Sequence, residues 1–338
     1  MSVQLHSLPR PGGSTQRIEQ GKIMHSSSNR LSAFLCAGSL FFTASVSQAQ
    51  NNDPVELSIE HVAGTVYMIQ RPGGGGNIGA SIGPDGVLLV DSLFAPMSES
   101  LVAAVRQVTD ANIRFLINTH VHPDHIGGNE NLAAMGVLIF AHDNARLRFL
   151  AERNRFPRRA GSFTPQPPES ARPVVTYNDA IGFHMNGEEV RAFLVPPAHT
   201  DGDSFVYFPE SNVLHLGDVF RTSSYPIIDV FNGGTLRGTI AALDKALDLT
   251  DANTRIIPGH GLTVVGREAI IEFRDMILDV RNQVLAMIKA GKLLDAVMAA
   301  NITAPYDAKW GQEDGWTAED FVPIVYYELG GSGRNVDR

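Results

Sequence analysis

The sequence predicts an α/β chain folded as an αββα sandwich, two facing mixed sheets flanked by helices. Three observations predict it: an opening β-rich meander, two successive mixtures of β-rich runs and helical stretches, and a near-continuous apolar strand between helices. A doubly wound parallel sheet is the alternative, and the opening meander argues against it. With 338 residues, 43% of them hydrophobic, the chain is long enough to bury a substantial core.

The meander starts at Thr65–Arg71 (TVYMIQR) and continues through Ile78–Gly83 (IGASIG) and Val87–Ser92 (VLLVDS). The turn signals RPGGGGN and GPDG separate these runs. A helix is expected over Ser98–Val108, where Leu101, Val102, Val105 and Val108 share one face. The run IRFLIN, Ile113–Asn118, has the near-continuous apolar character of a strand buried on both faces. Next come a helix at Asn129–Ala134, a strand at Val137–His142 and a helix from Asn144 to about Arg153. The texture then changes. Arg153–Pro173 is rich in proline and basic residues without a period, and reads either as a solvated surface loop or as a lid beside a site.

From Glu188 the β-rich texture returns in EVRAFLVPP, SFVYFPES and NVLHLGDVF. A helix at Thr239–Leu249, a strand at Thr254–Gly261 (TRIIPGHG) and a long helix from about Arg267 to Ala290 complete the core. The C-terminal run FVPIVYYEL, Phe321–Leu329, belongs to a helical extension and is expected to serve packing or subunit contact.

The first fifty residues have another character. Leu31–Val46 forms an apolar run after Arg30 and before small residues that suit cleavage after Ala49, so residues 1–49 read as an export signal. A transmembrane anchor is the rival, but the run is short, broken by Ser and Thr, and lacks a basic stop-transfer flank. The polar stretch Met1–Ile23 is long for the start of such a signal, which points to Met24 as the initiator. Residues 50–338 would then form one domain in the periplasm or outside the cell, with no stable membrane insertion. Cys36, the only cysteine, would leave with the signal.

Charge narrows the partners. The chain carries 36 acidic against 27 basic residues, net −9. Removal of residues 1–49 takes four basic residues (Arg10, Arg17, Lys22, Arg30) and one acidic residue (Glu19), leaving net −12. Such a surface repels a polyphosphate backbone, which excludes nucleic acid and leaves a small molecule as the expected substrate. The sequence sets no oligomeric state.

The stretch NTHVHPDHIGG, Asn118–Gly128, places His120, His122, Asp124 and His125 within six positions directly after a strand. Three later strand ends carry His199, Asp218 and His260. Imidazole and carboxylate suit zinc, and seven such groups are enough for two ions that keep a position open for water. Water held by zinc loses a proton near neutral pH and becomes a nucleophile without a protein base. Two dications, two aspartates and a hydroxide sum to about +1, a centre suited to an anionic substrate.

These residues resemble the metallo-β-lactamase superfamily, whose HxHxDH motif is matched by His120, His122, Asp124 and His125, and whose later His, Asp and His are matched by His199, Asp218 and His260. The resemblance covers about Val55 to Ile288. It implies that His120, His122 and His199 bind one metal, that Asp124, His125 and His260 bind the second, and that Asp218 bridges them. Asp124 and Arg221 are the implied catalytic pair. In the classical zinc β-lactamases a lysine lies three residues after a metal-binding cysteine and grips the substrate; here the pair is Asp218 and Arg221. The missing cysteine and the added His125 point toward glyoxalase-like and lactonase-like branches.

The expected function is therefore an exported hydrolase with two zinc ions, cleaving an ester, lactone, thioester or β-lactam bond. A β-lactamase proper is one alternative. An iron-dependent oxidoreductase such as a sulfur dioxygenase is another, although diiron relatives carry Glu near where this chain has Pro123. A silent binding protein is the third. Of the other histidines, His142 and His215 sit on apolar strands and read as hydrogen-bonded core residues, and His61 and His184 as strand-edge residues. RPGGGGN lacks a phosphate-loop ending and is read as a hairpin tip that could serve as a substrate flap. Trp310 and Trp316, set among polar residues, carry a minority reading as the mouth of the site.

Overall fold

The two β-rich halves of the sequence become two sheets. The computed structural model describes residues 55–151, 153–154, 163–311 and 316–332, so the expected export signal lies outside the described residues. The first half gives β1 (Ser58–Ala63), β2 (Val66–Gln70), β3 (Ile78–Gly83), β4 (Gly86–Val90), β5 (Ile113–Asn118) and β6 (Leu138–His142). A separate antiparallel ribbon follows, formed by β7 (Arg153–Asn154) and β8 (Phe163–Thr164). Then come β9 (Val175–Tyr177), β10 (Ala180–Met185), β11 (Glu188–Leu194), β12 (Ser204–Phe208), β13 (Val213–His215) and β14 (Arg255–Ile257). The helices are α1 (Ser98–Arg106), α2 (Pro123–Ile126), α3 (Asn129–Ala134), α4 (Asp143–Phe149), α5 (Leu236–Leu249), α6 (Arg267–Lys289), α7 (Leu294–Ala299), α8 (Asp307–Trp310) and α9 (Ala318–Glu328).

One sheet runs β1-β2-β3-β4-β5-β6-β9 and the other β10-β11-β12-β13-β14. Both are mixed. In the first, β2, β3 and β4 pair antiparallel as the expected meander, β1 adds antiparallel to β2, and β4, β5, β6 and β9 pair parallel. In the second, only β13 and β14 are parallel.

Period-two alternation explains the layers, because successive strand side chains point to opposite faces. Val66, Met68, Leu88, Val90 and Ile117 face the second sheet and pack with Val190, Ala192, Val206, Phe208 and Val213. Their alternates Ile69, Leu89 and Leu116 face outward and pack under Leu101, Ala104 and Val105 of α1 and Leu132 of α3. On the far side Phe205, Leu214 and Ile256 meet α5, α6 and α9. The αββα expectation is met.

Several boundaries and elements differ from the sequence reading. β4 ends at Val90 because Asp91 and Leu93 adopt positive φ (69° and 57°), which leaves the extended conformation. β14 stops at Ile257, before Pro258, which has no N–H to offer a ladder. α5 begins three residues early, at Leu236, where the Thr235 side chain caps the Gly238 N–H. β1, β9 and β10 leave little mark in the sequence: β1 and β10 are largely exposed edge strands, and β9 has three residues.

FVPIVYYEL does pack. Phe321, Val322, Val325 and Tyr326 of α9 are buried in the helical core, and the Phe321 ring stacks on Tyr225 at 5.6 Å. Trp310 and Trp316 join the same core rather than the mouth of the site, each 4% exposed. Burial of the Trp316 indole is made possible by its N–H, which donates to the Pro226 carbonyl at 3.1 Å. His142 and His215 are buried and hydrogen-bonded to backbone, as expected of core histidines.

Candidate metal centre

Each candidate side chain leaves the sandwich where a strand ends. The turn after β5 delivers His120 and His122, and α2, whose first residue Pro123 is preset for a helix start, turns Asp124 and His125 inward. The β11–β12 connection supplies His199, the short 3-10 turn after β13 supplies Asp218, and the loop after β14 supplies His260. The last two loops approach closely: a Cβ at Gly259 would stand 2.2 Å from Asp218 Oδ1 and 2.4 Å from Gly217 backbone, so only glycine allows the approach.

The structure brings all seven together in two adjoining groups. His120, His122, His199 and Asp218 form one, and Asp124, His125 and His260 the other, with the prospective ligand atoms of each group within 4.8 Å of one another. His122 Nδ1 and His199 Nε2 lie 2.8 Å apart. In the second group His260 Nε2 stands 3.0 Å from Asp124 Oδ2. Asp218 lies between the groups: Oδ1 is 3.1 Å from His125 Nε2, and Oδ2 is 3.3 Å from His260 Nε2 and 3.8 Å from His199 Nε2. Asp91, His120 and His125 form a third combination, but both Asp91 oxygens already accept hydrogen bonds from Thr119.

Electrostatics divide the imidazoles. Burial pushes His120 well below its ordinary value, and burial with the adjacent His122 pushes His199 down to about 3, so both are neutral and able to ligate. Burial also acts on His125, yet Asp218, Asp124 and Asp91 outweigh it and raise the ring well above its ordinary value. His260 is raised too, by Asp218 and Asp124 acting against burial and Arg221. Burial likewise penalises the Asp124 and Asp218 carboxylates, but His125 and His260, with Arg221 at Asp218, hold both well below the usual carboxylate range.

A divalent cation fits this donor set. His120 Nε2 and Asp218 Oδ1 are buried without a hydrogen-bond partner, a cost of about 1–3 kcal/mol each that coordination would remove. Neutral imidazoles and ionised carboxylates are the ligand forms zinc takes, so a bound cation would replace the proton that the carboxylates favour on His125 and His260.

Arg221 has a different place from the substrate-gripping one expected of it. Its side chain is 2% exposed, and Nη1 donates to Asp218 Oδ2 at 3.0 Å. The cation braces the central carboxylate. Three further groups support the site and were not singled out in the sequence. Asp91 accepts from His125 Nδ1 at 2.7 Å, Asp229 accepts from His122 Nε2 at 2.7 Å, and Asn77 holds the Pro258–Gly261 loop by donating to both carbonyls. Asp91 and Asp229 carried a signal, as lone acids in VLLVDS and YPIIDVF.

Loops flank the centre. The glycine hairpin between β2 and β3 lies on it: a Cβ at Gly76 would stand 2.6 Å from the Asp124 carbonyl and 3.0 Å from His125 Nε2. Gly76→Ala is therefore expected to displace His125 and weaken metal binding about tenfold or more, read by metal titration; unchanged affinity would show that the hairpin moves freely. β7 lies against the turn Val230–Asn232, which places the Arg153–Asn154 end of the proline-rich segment beside the Asp229 turn. Residues 155–162 of that segment lie outside the described residues.

Comparison with known proteins follows the same lines. A family model, the metallo-beta-lactamase superfamily, matches residues 71–260. A linear primary-alkylsulfatase of Pseudomonas sp. (strain ATCC 19151) is 26% identical over 255 residues, covering 64% of this chain and 48% of that protein. The chain thus spans about half the length of that relative. A metallo-beta-lactamase type 2 of Bacillus cereus is 22% identical over 220 residues, covering 65% of this chain and 77% of that one. Among solved structures, a metallo-beta-lactamase from Pontibacter korlensis superposes with a TM-score of 0.55 at 15% identity, covering 66% of this chain and all of that one. At that identity the likeness speaks for the fold.

Proposed function

The chain belongs to the metallo-β-lactamase superfamily, and from that premise we propose that it is an exported hydrolase that uses two zinc ions to open an ester, lactone, thioester or β-lactam bond. One observation carries the reading: Asp218 stands between two groups of imidazoles and carboxylates, and two orphaned acceptors, Asp218 Oδ1 and His120 Nε2, lie buried there. His120, His122 and His199 would hold the first ion, Asp124, His125 and His260 the second, with Asp218 shared. The relatives named above are hydrolases by name, one an alkylsulfatase and one a β-lactamase. The first adds a sulfate ester to the bonds worth testing.

Two bound zinc ions would supply Lewis acidity and a water acidified toward neutral pH. The chain's own residues do the rest. Burial keeps His120 and His199 unprotonated at the nitrogens that face the centre. Asp124 is the more open carboxylate, with its side chain 20% exposed against 3% for Asp218, so its side of the centre is the one an incoming substrate can reach. Arg221 keeps Asp218 ionised and fixed. The backbone at Gly76 packs against Asp124 and His125 and holds that side of the second group in place.

Export rests on the apolar run and cleavage signal within residues 1–49. No helix among the described residues is long and apolar enough to cross a membrane. The test is a panel of one lactone, one thioester, one β-lactam and one sulfate ester, offered to the zinc-loaded protein and to its Asp124→Ala variant. One class turned over by the parent and lost in a folded variant is the expected result. Equal turnover by both would overturn the role of Asp124, and iron content with oxygen uptake would favour an oxidoreductase.

A further inference from the structure

The far end of the first sheet carries a groove that the metal centre does not use. It opens where β5 and β6 begin, between Arg106 of α1, Arg114 and Phe115 of β5, Met135 just after α3 and Leu138 of β6, and it encloses about 380 Å³. The turn that bears His120 leaves the opposite end of β5, so six residues of strand, roughly 20 Å, separate the two places. We propose that, independently of the dinuclear reading, this groove binds one amphiphilic anion: an alkyl chain with a sulfonate or carboxylate head. The head group lies between Arg106 and Arg114, and the chain lies over Phe115, Met135 and Leu138.

Both guanidiniums are held in place without being neutralised. Arg106 Nη1 donates to the Ala111 carbonyl at 2.9 Å, and Arg114 Nη1 donates to the Asp85 carbonyl at 2.7 Å. Those acceptors carry no charge. Neither arginine forms an ion pair among the described residues, whereas Arg148, Arg221 and Arg274 each hold an aspartate. A guanidinium spreads its N–H donors over three nitrogens, so Nε and Nη2 of each remain for a ligand. The Arg114 guanidinium stands 4.8 Å from the centre of the Phe115 ring, and Gly86 makes room for it, since a Cβ there would meet Arg114 Cδ at 2.6 Å. Two cations from separate elements on one groove repel each other, and an anionic head group between them removes that cost while accepting from both.

The floor of the groove is apolar. Met135 is 53% exposed and Leu138 47%. Leu138 is the partner of Phe115 in the β5–β6 ladder, so the two side chains share one face. The Phe115 ring meets Phe140 at 5.8 Å and Phe183 at 5.6 Å, which carries the apolar surface on toward Val175, the partner of Phe140 on β9 and itself exposed. Adjoining exposed apolar side chains mark a binding surface where scattered ones do not. The volume suits a small ligand, whose pockets run from about 300 to 1,000 Å³. A bilayer is the poorer source of the anion, because a chain of net charge −9 is repelled by an anionic membrane, whereas two arginines on one groove suit a single head group.

The probe is decane-1-sulfonate, which contains no ester to hydrolyse, titrated calorimetrically into the zinc-loaded protein below the concentration at which it forms micelles. One ion bound per chain is expected. Methanesulfonate lacks the chain and decyltrimethylammonium reverses the head-group charge, so each should bind at least about tenfold more weakly. Arg106→Gln/Arg114→Gln is expected to weaken decane-1-sulfonate about tenfold or more, and Met135→Ser/Leu138→Ser by a similar factor; all four positions are exposed, where substitution costs little stability. Equal binding by the parent and the arginine variant would place the ion elsewhere and overturn the proposal. Equal binding of the ammonium probe would do the same, as would capture of the protein by phosphatidylglycerol vesicles with no uptake of the monomeric ion.

Discussion

Asp218→Ala is expected to cut zinc from about two ions per chain to fewer than one and to lower turnover about a thousandfold or more, roughly 4 kcal/mol of barrier. Two effects add. Asp218 lies within reach of imidazoles in both groups, so its loss removes a donor from each. It also deprives Arg221, 2% exposed, of the carboxylate on its Nη1, and breaking a buried ion pair from one side costs about 3–5 kcal/mol. Metal analysis and thermal unfolding separate the two: the double variant Asp218→Ala/Arg221→Met should recover stability without recovering zinc. Full zinc content in Asp218→Ala would remove Asp218 from the centre.

Phe321→Ala should destabilise the fold by about 3–5 kcal/mol, a fall in the thermal midpoint on the order of 10 °C. Phe321 is fully buried and its ring lies nearly parallel to that of Tyr225, with an interplanar angle of 12°. Tyr225 is also tied by its hydroxyl to Asp307 and Thr303. The chain running from Tyr225 reaches Ile227 and Asp229, which hold His199 and His122. A cavity under Tyr225 should therefore weaken the first metal position as well as the fold, and a parallel zinc titration would show it. An unchanged midpoint would mean that α9 is not part of the core.

The sandwich was legible because its central strands announce themselves. IRFLIN is apolar over most of its length and appears at the predicted boundaries, since its end from Leu116 lies buried between a helix layer and the second sheet. Edge strands carry no such mark: β1, with Ser58, Glu60 and His61, needs only one side paired and only a little burial. The seven central residues could be read because four stand together in one turn and the others close strands with the same texture. Their supports could not be read with equal ease. Asp91 lies 34 positions from His125 and Asp229 lies 107 from His122, so each is an ordinary acid until the chain folds.

Arg221 and the two tryptophans show the limit of local spacing. The three-residue step from Asp218 places Arg221 correctly beside it, yet the step does not say that the guanidinium turns inward to the carboxylate. Trp310 and Trp316 have polar neighbours in sequence, but the packing of α9 against Tyr225 and Phe273 encloses both. Burial at these positions is a property of the assembled helices.

The most direct test of the dinuclear centre is the metal content of the purified mature protein, measured after dialysis against trace zinc and followed by removal with a chelator. About two zinc ions per chain, lost together with hydrolysis and restored together with it, is the expected result. One ion or none at saturation, or iron retained in preference to zinc, would contradict the centre described here.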